Sequence, residues 1–414
     1  MIENRRDDGF LNVADHDSYT DGVPHASFAR LRRDDPVHWT VPTDGMKGFW
    51  SVTRHADILE ANGKPDIFSS AQGIRIEDQT REEYLARRTF QETDPPEHRV
   101  TRKLVNPAFS RPAIVRYEAM IRQLAGEIVD AAVARGEFEA VDAIAKQLPM
   151  LMLGRILGLP DADLEWLVEK GDALIGNTDP DFTDHVVDKM DSDAYRFMPF
   201  RSPAGADLYD YAETVFSGEK AVDPQGVLNR VISAEQGLPL ADFKNFFCLL
   251  VAAGNDTTRY SIAMALHLLT VHPELLGQLQ SGSVDDTAAD EIIRLASPTM
   301  HFRRTATADT ELGGKTIRKG DKVVLWFVSG NRDETVFDAP HMPRLDRNPN
   351  PNVAFGQGGP HFCLGMWLAR LEVKVVLQAL AGRLSSIEAL EPPRWTRSNF
   401  ICGVKSLPVR VQVL

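Results

Sequence analysis

Helical periodicity runs almost unbroken from about Glu97 to Leu279, and it restricts what this chain can fold into more than any other feature. Apolar residues recur three and four positions apart in HRVTRKLVNPAF, IVRYEAMIRQLAGEIVDAAVARG and AIAKQLPMLMLGRILGL, the pattern of helices that bury one face. A much longer stretch, Asp242–Val271, predicts one long central helix ended by Pro273. Shorter segments read as strands. PVHWT and GFWSVTR (Pro36–Thr40, Gly48–Arg54) are rich in β-branched and aromatic residues, and VKSLPVRVQVL closes the chain in the same way. HFRRTATADTELGGKTIRKGDKVVLWFVSG alternates β-branched and polar residues around turns at Gly313-Gly314 and Lys319-Gly320. Further helices are predicted at Asp290–Ala296 and Leu364–Leu384. The fold class is therefore mainly α with smaller β-sheets. No repeat, linker or low-complexity block interrupts it, so one domain over residues 1–414 is expected.

Charge and cysteine content narrow the function. The formal charge of −13 argues against nucleic acid as a partner. The opening MIENRRDDGFLNVADHDSYTDG has no apolar run. The strongest apolar stretch, FFCLLVAA (Phe246–Ala253), falls far short of the roughly 20 residues of a membrane helix, so no membrane anchor is expected. Cys248, Cys363 and Cys402 are odd in number and widely spaced, which excludes a disulfide framework or CxxC zinc site and predicts a cytoplasmic protein. A cysteine that matters here acts alone.

One of them stands in an unusual phrase, FGQGGPHFCLG (Phe355–Gly365), directly ahead of the helical LGMWLARLEVKVVLQAL. A helix start offers unpaired N–H groups and the positive end of the dipole, both of which favour a thiolate. Gly356, Gly358, Gly359 and Gly365 let backbone approach a flat, bulky object and aim N–H groups at sulfur. A thiolate ligand to iron needs such hydrogen bonds, which temper its donation. A lone Cys363 would more often be a buried, inert thiol; the whole phrase reverses that preference.

Three other stretches bear on the same chemistry. AAGNDTT (Ala252–Thr258) puts Asn255, Asp256 and two threonines inside the long helix, where such residues are poor choices. Threonine can hydrogen-bond the carbonyl four residues back, and small Ala253 and Gly254 leave room beside the helix. The result is an acid and an alcohol at a small void, suited to delivering protons to reduced oxygen; a kinked core helix with a solvated Asp fits equally well. In EIIR, Glu291 and Arg294 share a helical face at i, i+3, the spacing of many ordinary surface pairs. In DPPEHRVTR (Asp94–Arg102), the prolines suit a helix entry, and His98 and Arg102 share a face at i, i+4.

FGQGGPHFCLG resembles the haem-binding signature of the cytochrome P450 family, with Cys363 matching the axial thiolate and metal ligand. The loop is one residue longer than usual, so Phe355 stands eight residues before the cysteine instead of seven, a departure from the pattern that otherwise matches Phe355 to a haem contact. AAGNDTT is similar to the family's oxygen-activation motif: Asp256 then belongs to the proton relay and Thr257 stabilises the activated oxygen. EIIR is similar to E-x-x-R, a structural element completed by an arginine from the irregular segment before the loop, here matched to Arg344. His98, Arg102, Arg304 and His361 match haem-propionate ligands, each of which alone would read as a surface charge. The resemblance spans nearly the full chain in the family's order. It implies the P450 fold, with the haem between the Asp242–Val271 and Leu364–Leu384 helices.

The activity implied by the resemblance is that of a haem-thiolate monooxygenase with haem b, O2 as co-substrate, and NAD(P)H electrons arriving through a ferredoxin and its reductase. The implied protein is a monomer. Arg99, Lys103 and Arg370 are docking candidates on the cysteine side, although such charges equally suit ordinary solvated positions. The matched substrate pocket comprises the Gly73–Arg88 loop, Phe246, Phe247, Leu250, Met300, His301, Phe302, Phe400 and Ile401. That lining is apolar, so the substrate is a small hydrophobic molecule: aliphatic or fatty-acid, terpenoid or steroid-like. HFRRTATADTELGGKTIRKGDKVVLWFVSGNRDE resembles alkane and fatty-acid terminal hydroxylases, while the longer loop and SNFICGVKSLPVRV lean toward sterol, terpenoid and branched-lipid subgroups. A peroxide-driven peroxygenase is one alternative, although such enzymes often lack the acid–alcohol pair. A non-catalytic haem-thiolate sensing protein is the other, and it would leave that pair without a purpose.

Overall fold

The computed structural model describes residues 9–42, 45–235 and 237–414. The long helix runs Leu240–Val271, starting two residues before its predicted position and ending where His272 and Pro273 stop it. At 1.5 Å per residue it is about 48 Å long. It packs against the helices Gln147–Leu157, Leu164–Ile175, Pro203–Ser217, Ala288–Ala296 and Met366–Ala381. Neighbours on so many sides explain why its sequence is apolar around most of its circumference rather than along one stripe. Met366–Ala381, which follows the cysteine loop, is shorter than the predicted Leu364–Leu384 because a strand starts at Leu384.

Five short strands form the larger sheet, in the order Val37–Thr40, Phe49–Val52, Lys322–Trp326, His301–Ala306, Phe68–Ser69. Phe49–Val52 and Lys322–Trp326 run parallel; the other pairings are antiparallel. All five side chains of central Lys322–Trp326 are buried, which matches the unbroken apolar run VVLW in a strand covered on both faces. The one charge in that strand, Lys322, donates its ammonium to the Ile76 carbonyl (3.1 Å) and pairs with Asp78 (3.0 Å). A three-stranded antiparallel sheet, Glu137–Glu139, Pro408–Val413 and Leu384–Ala389, holds the C-terminus.

Glu291 and Arg294 are both fully buried and paired through two hydrogen bonds of 2.7 and 2.8 Å. The guanidinium that completes this pair belongs to Arg347, not Arg344. Arg347 Nε lies 3.0 and 3.2 Å from the two Glu291 oxygens, and Asn350 donates to the same carboxylate at 3.1 Å. Arg344 contributes only its backbone N–H (3.0 Å); its side chain points outward to Asp338. Local geometry decides the choice. Residues 344–347 form a turn closed by an Arg347 N–H to Arg344 carbonyl bond (2.9 Å), which turns the later side chain inward. Arg294 also donates to the carbonyls of Asn331 and Pro340, so the cluster ties the Ala288–Ala296 helix to the irregular segment ahead of the cysteine loop.

Candidate active site

The cysteine loop folds as a tight coil held at both ends. The Cys363 N–H donates to the Phe355 carbonyl (2.9 Å) and the Gly356 N–H to Val353 (3.0 Å). Gly356 and Gly358 have φ of +69° and +95°, where a side chain would be strained. Gly359 is pressed so close to the His55–Asn62 helix that a Cβ would sit 2.4 Å from the Asn62 carbonyl, and Asn62 Nδ2 donates to Gln357 O (3.1 Å). Cys363 is enclosed by protein, yet its surface faces an interior cavity of about 480 Å³. The Gly365 and Met366 N–H groups are directed at its sulfur. Burial still raises the thiol pKa above its ordinary value, opposed by those N–H groups and by Arg102 and Arg370. The helix start alone therefore does not make a thiolate; a metal cation at the sulfur would, because a coordinating thiol is deprotonated.

Four cationic or cation-capable side chains surround this loop without a carboxylate partner among the described residues. The rings of His98 and His361 lie 4.3 Å apart, and all four ring nitrogens are buried without a hydrogen bond. Burial first, then neighbouring arginines and, for His361, also His98, hold these imidazoles neutral, at about 4 for His98 and about 2 for His361. Arg102 donates to the Phe362 carbonyl (2.5 Å), while Arg304 donates to Asn62 Oδ1 (3.1 Å) and the Arg303 carbonyl (2.9 Å). Buried polar atoms are normally satisfied, so this cluster is built for an anionic group. An apolar cavity with a sulfur on its wall and unpaired donors beside it fits an iron porphyrin carrying two carboxylates.

The facing wall is the middle of the long helix, from Ala252 to Gly254 and from Asp256 to Thr258, with Ser261 beyond. The Thr257 hydroxyl donates to Ala253 O (3.0 Å), the bonding four residues back predicted for threonine, and Ser261 does the same to Thr257 O (2.9 Å). The helix stays continuous through both. Gly254 serves packing against the next helix: a Cβ there would lie 2.6 Å from Leu153 Cδ1. Asp256 is 1% exposed, pairs with Arg259 (2.9 Å), accepts from Asn255 (3.2 Å), and has one oxygen without a partner. Burial raises its pKa to about 7 against the opposing pull of Arg259. Arg259 also pairs with Asp172 (2.5 Å), whose other oxygen meets Lys146 at 3.1 Å. This chain of charges leads from the cavity wall to a lysine side chain 28% exposed. The Asp256–Arg259 spacing of three was legible in the sequence, whereas Asp172 and Lys146 lie on other elements and were not.

Of the predicted pocket residues, Leu250, Phe302, Phe400 and Ile401 line the cavity, as do Phe355 and His361. Gly73–Gln79 and Arg87 represent the predicted loop. Phe246, Phe247, Met300 and His301 do not line it. Phe247 stacks on Tyr211 (5.5 Å), and Phe246 packs behind Phe90 (6.2 Å), which takes its place on the wall. Met300 is in the core of the larger sheet. His301 donates from Nδ1 to the Asn399 carbonyl (3.0 Å) and packs on Trp326 (4.7 Å). Arg370 is occupied as well, paired with Asp290 (2.6 Å) and lying over the Phe355 ring, whereas Arg99 and Lys103 are exposed.

Comparison with known proteins agrees with this geometry. The family model described as Cytochrome P450 matches residues 286–389. The methyl-branched lipid omega-hydroxylase of Mycobacterium tuberculosis is 35% identical over 96% of this chain and 94% of its own. Linalool 8-monooxygenase of Pseudomonas putida is 36% identical over 95% and 97%. The structure of a Mycobacterium marinum cytochrome P450 in complex with pseudoionone superposes with a TM-score of 0.85 at 36% identity, covering 93% of this chain and 94% of that one.

Proposed function

The chain belongs to the cytochrome P450 family of haem monooxygenases, and from that premise we propose that it uses haem b and ferredoxin-borne electrons to hydroxylate an unactivated C–H bond of an aliphatic, terpenoid or steroid-like molecule. The observation that carries this reading is one cavity with a thiol on one wall, a buried acid and alcohol on the facing wall, and apolar side chains between them.

When bound, haem supplies the iron at which O2 is reduced and split and one oxygen atom is inserted into the substrate. Cys363 would hold the iron, and the Gly365 and Met366 N–H groups temper the electron donation of its sulfur. Arg102, Arg304, His98 and His361 would hold the two carboxylates, which gives their unpaired donors a partner. Asp256, poised near neutrality, gains and releases a proton within the working pH range. Arg259 holds it in position, and Asp172 and Lys146 extend the route toward solvent. The Thr257 hydroxyl keeps its oxygen lone pairs available to the cavity while its proton is held by Ala253. Phe302, Phe400 and Leu250 exclude water and orient the substrate by shape. No described helix is long and apolar enough to cross a membrane. Exposed Arg99 and Lys103 suit an acidic ferredoxin, which a local positive patch steers even where net charge is negative.

Spectral titration of the ferric protein with fatty acids, alkanes, monoterpenes and steroids tests the substrate class, since displacing water from iron shifts its spin state. A clear shift with one class supports the reading; no shift with any overturns it. Cys363→Ser should abolish the thiolate signature of the reduced CO complex, and an unchanged spectrum would remove Cys363 as ligand. Turnover with surrogate ferredoxin and reductase, set against turnover with peroxide alone, distinguishes a monooxygenase from a peroxygenase.

A further inference from the structure

We propose that Arg87 anchors the carboxylate of a long-chain fatty acid whose hydrocarbon tail runs through the cavity toward Cys363. This rests on the hydroxylase reading above and narrows its substrate class. Three arginines gather at the cavity end formed by the Arg81–Arg87 helix and the segments beside it: Arg75, Arg87 and Arg201. Two are already neutralised. Arg75 pairs with Glu77 (2.6 Å) and Arg201 with Glu83 (2.6 Å). Arg87 has no ion pair among the described residues; its single hydrogen bond goes to a neutral amide, Gln79 Oε1, at 3.0 Å. Gln79 is itself held by donating to the Gln72 carbonyl (3.3 Å).

Arg87 is half-buried on the cavity wall. Desolvation, then the nearby charge of Arg75, lowers its pKa, and a guanidinium drawn partly out of water favours a counter-ion. The other carboxyl on this part of the wall, Glu92, is turned to the Thr89 N–H (3.0 Å) and hydroxyl (3.4 Å) instead of to Arg87. Burial raises its pKa, which weakens it as a competing anion. The missing partner of Arg87 is therefore supplied by whatever enters the cavity, and a planar carboxylate matches the guanidinium fork.

Distance selects a long substrate. Asn245 Nδ2 donates to the Ala86 carbonyl (3.2 Å), which fixes the end of the Arg81–Arg87 helix beside residue 245 of the long helix. Thr257 lies twelve residues further along that helix, about 18 Å by the rise per residue. The wall between is apolar, with Phe90, Leu249, Leu250 and Ala253. A molecule charged at one end and saturated along its length satisfies both ends at once, with its far carbons presented to the oxygen side.

The test uses the haem-loaded protein with palmitic acid, its methyl ester and hexadecanol, following spin-state shift and calorimetric heat. Wild type should bind the acid at least about tenfold more tightly than the ester, the range of a charge-assisted hydrogen bond. Arg87→Met should lose that preference while its ester affinity stays unchanged, and Arg87→Lys should retain part of it. Equal affinity of wild type for acid and ester would overturn the proposal, and so would an equal loss of both ligands in Arg87→Met. A normal thiolate CO spectrum in wild type and both variants separates this outcome from a failure of the hydroxylase reading.

Discussion

Replacing Arg347 by alanine and, separately, Arg344 by alanine divides the roles that these neighbours have around Glu291. Glu291 is fully buried and Arg347 is 6% exposed, so Arg347→Ala leaves a carboxylate in the interior without one of its two guanidiniums. Breaking a buried pair from one side costs about 3–5 kcal/mol. Arg344→Ala keeps the backbone N–H at 3.0 Å and loses only pairs to Asp338 and Asp346, in which Arg344 is 45% exposed. Exposed pairs of that kind are worth about 0–1 kcal/mol. At about 2.1 cal/mol/K per residue, the 414-residue chain has an unfolding entropy near 0.9 kcal/mol/K. Tm should then fall by about 3–6 °C for Arg347→Ala and by about 1 °C or less for Arg344→Ala. Calorimetry of the two haem-loaded variants at neutral pH makes the comparison directly, with haem retention as a second readout because the cluster braces the segment leading into the cysteine loop. Equal losses, or a larger loss for Arg344→Ala, would refute the assignment of the inward guanidinium to Arg347.

Thr257→Ala should divert reducing equivalents to hydrogen peroxide while leaving substrate affinity largely intact; full coupling of NAD(P)H to product would count against Thr257 as the cavity alcohol. Glu372 is 1% exposed on the helix after the cysteine loop, both its oxygens lack a partner, and burial raises its pKa from 4.5 to about 8. Between those values the folded chain holds a proton that the unfolded chain has lost. Stability should therefore fall as pH rises through this interval, by on the order of 1 kcal/mol per pH unit from this group alone. Glu372→Gln should remove that slope and gain stability at alkaline pH, with the difference vanishing below the lower pKa; parallel Tm–pH curves for the two proteins would exclude the effect.

Sequence made the local devices legible and left the long-range partners hidden, and the difference is physical. Glycines at positive φ, a cysteine at a helix start and a threonine bonding four residues back are set by the backbone within a turn or two. FGQGGPHFCLG and AAGNDTT accordingly fold as their residues dictate. Which way a side chain faces in an irregular segment depends on a single turn. Arg344 and Arg347 are indistinguishable in PRLDR until the bond from the Arg347 N–H to the Arg344 carbonyl turns one of them inward. The same limit explains why some expected pocket residues lie away from the cavity. Helical periodicity relates Phe246 to Leu250 and Thr257, yet it cannot show that Phe90, from another element, stands between Phe246 and the cavity.

Arg87 is the extreme case. In the sequence it is one of several charges in REEYLARR, at the end of a short helix whose Thr80–Glu83 capping box is complete, and nothing local distinguishes it from Arg81 or Arg88. Arg88 pairs with Glu97 (3.0 Å), and Arg81 lies over the Tyr84 ring at 4.8 Å. Only tertiary packing brings Arg75 and Arg201 to the same end of the cavity, takes Glu77 and Glu83 for those two, and leaves Arg87 with an amide. A half-buried charge without an ion pair is a property of the assembled neighbourhood rather than of any residue in it. On the proposal above, recognition of a carboxylate at this end of the cavity uses a pairing that the described residues leave open.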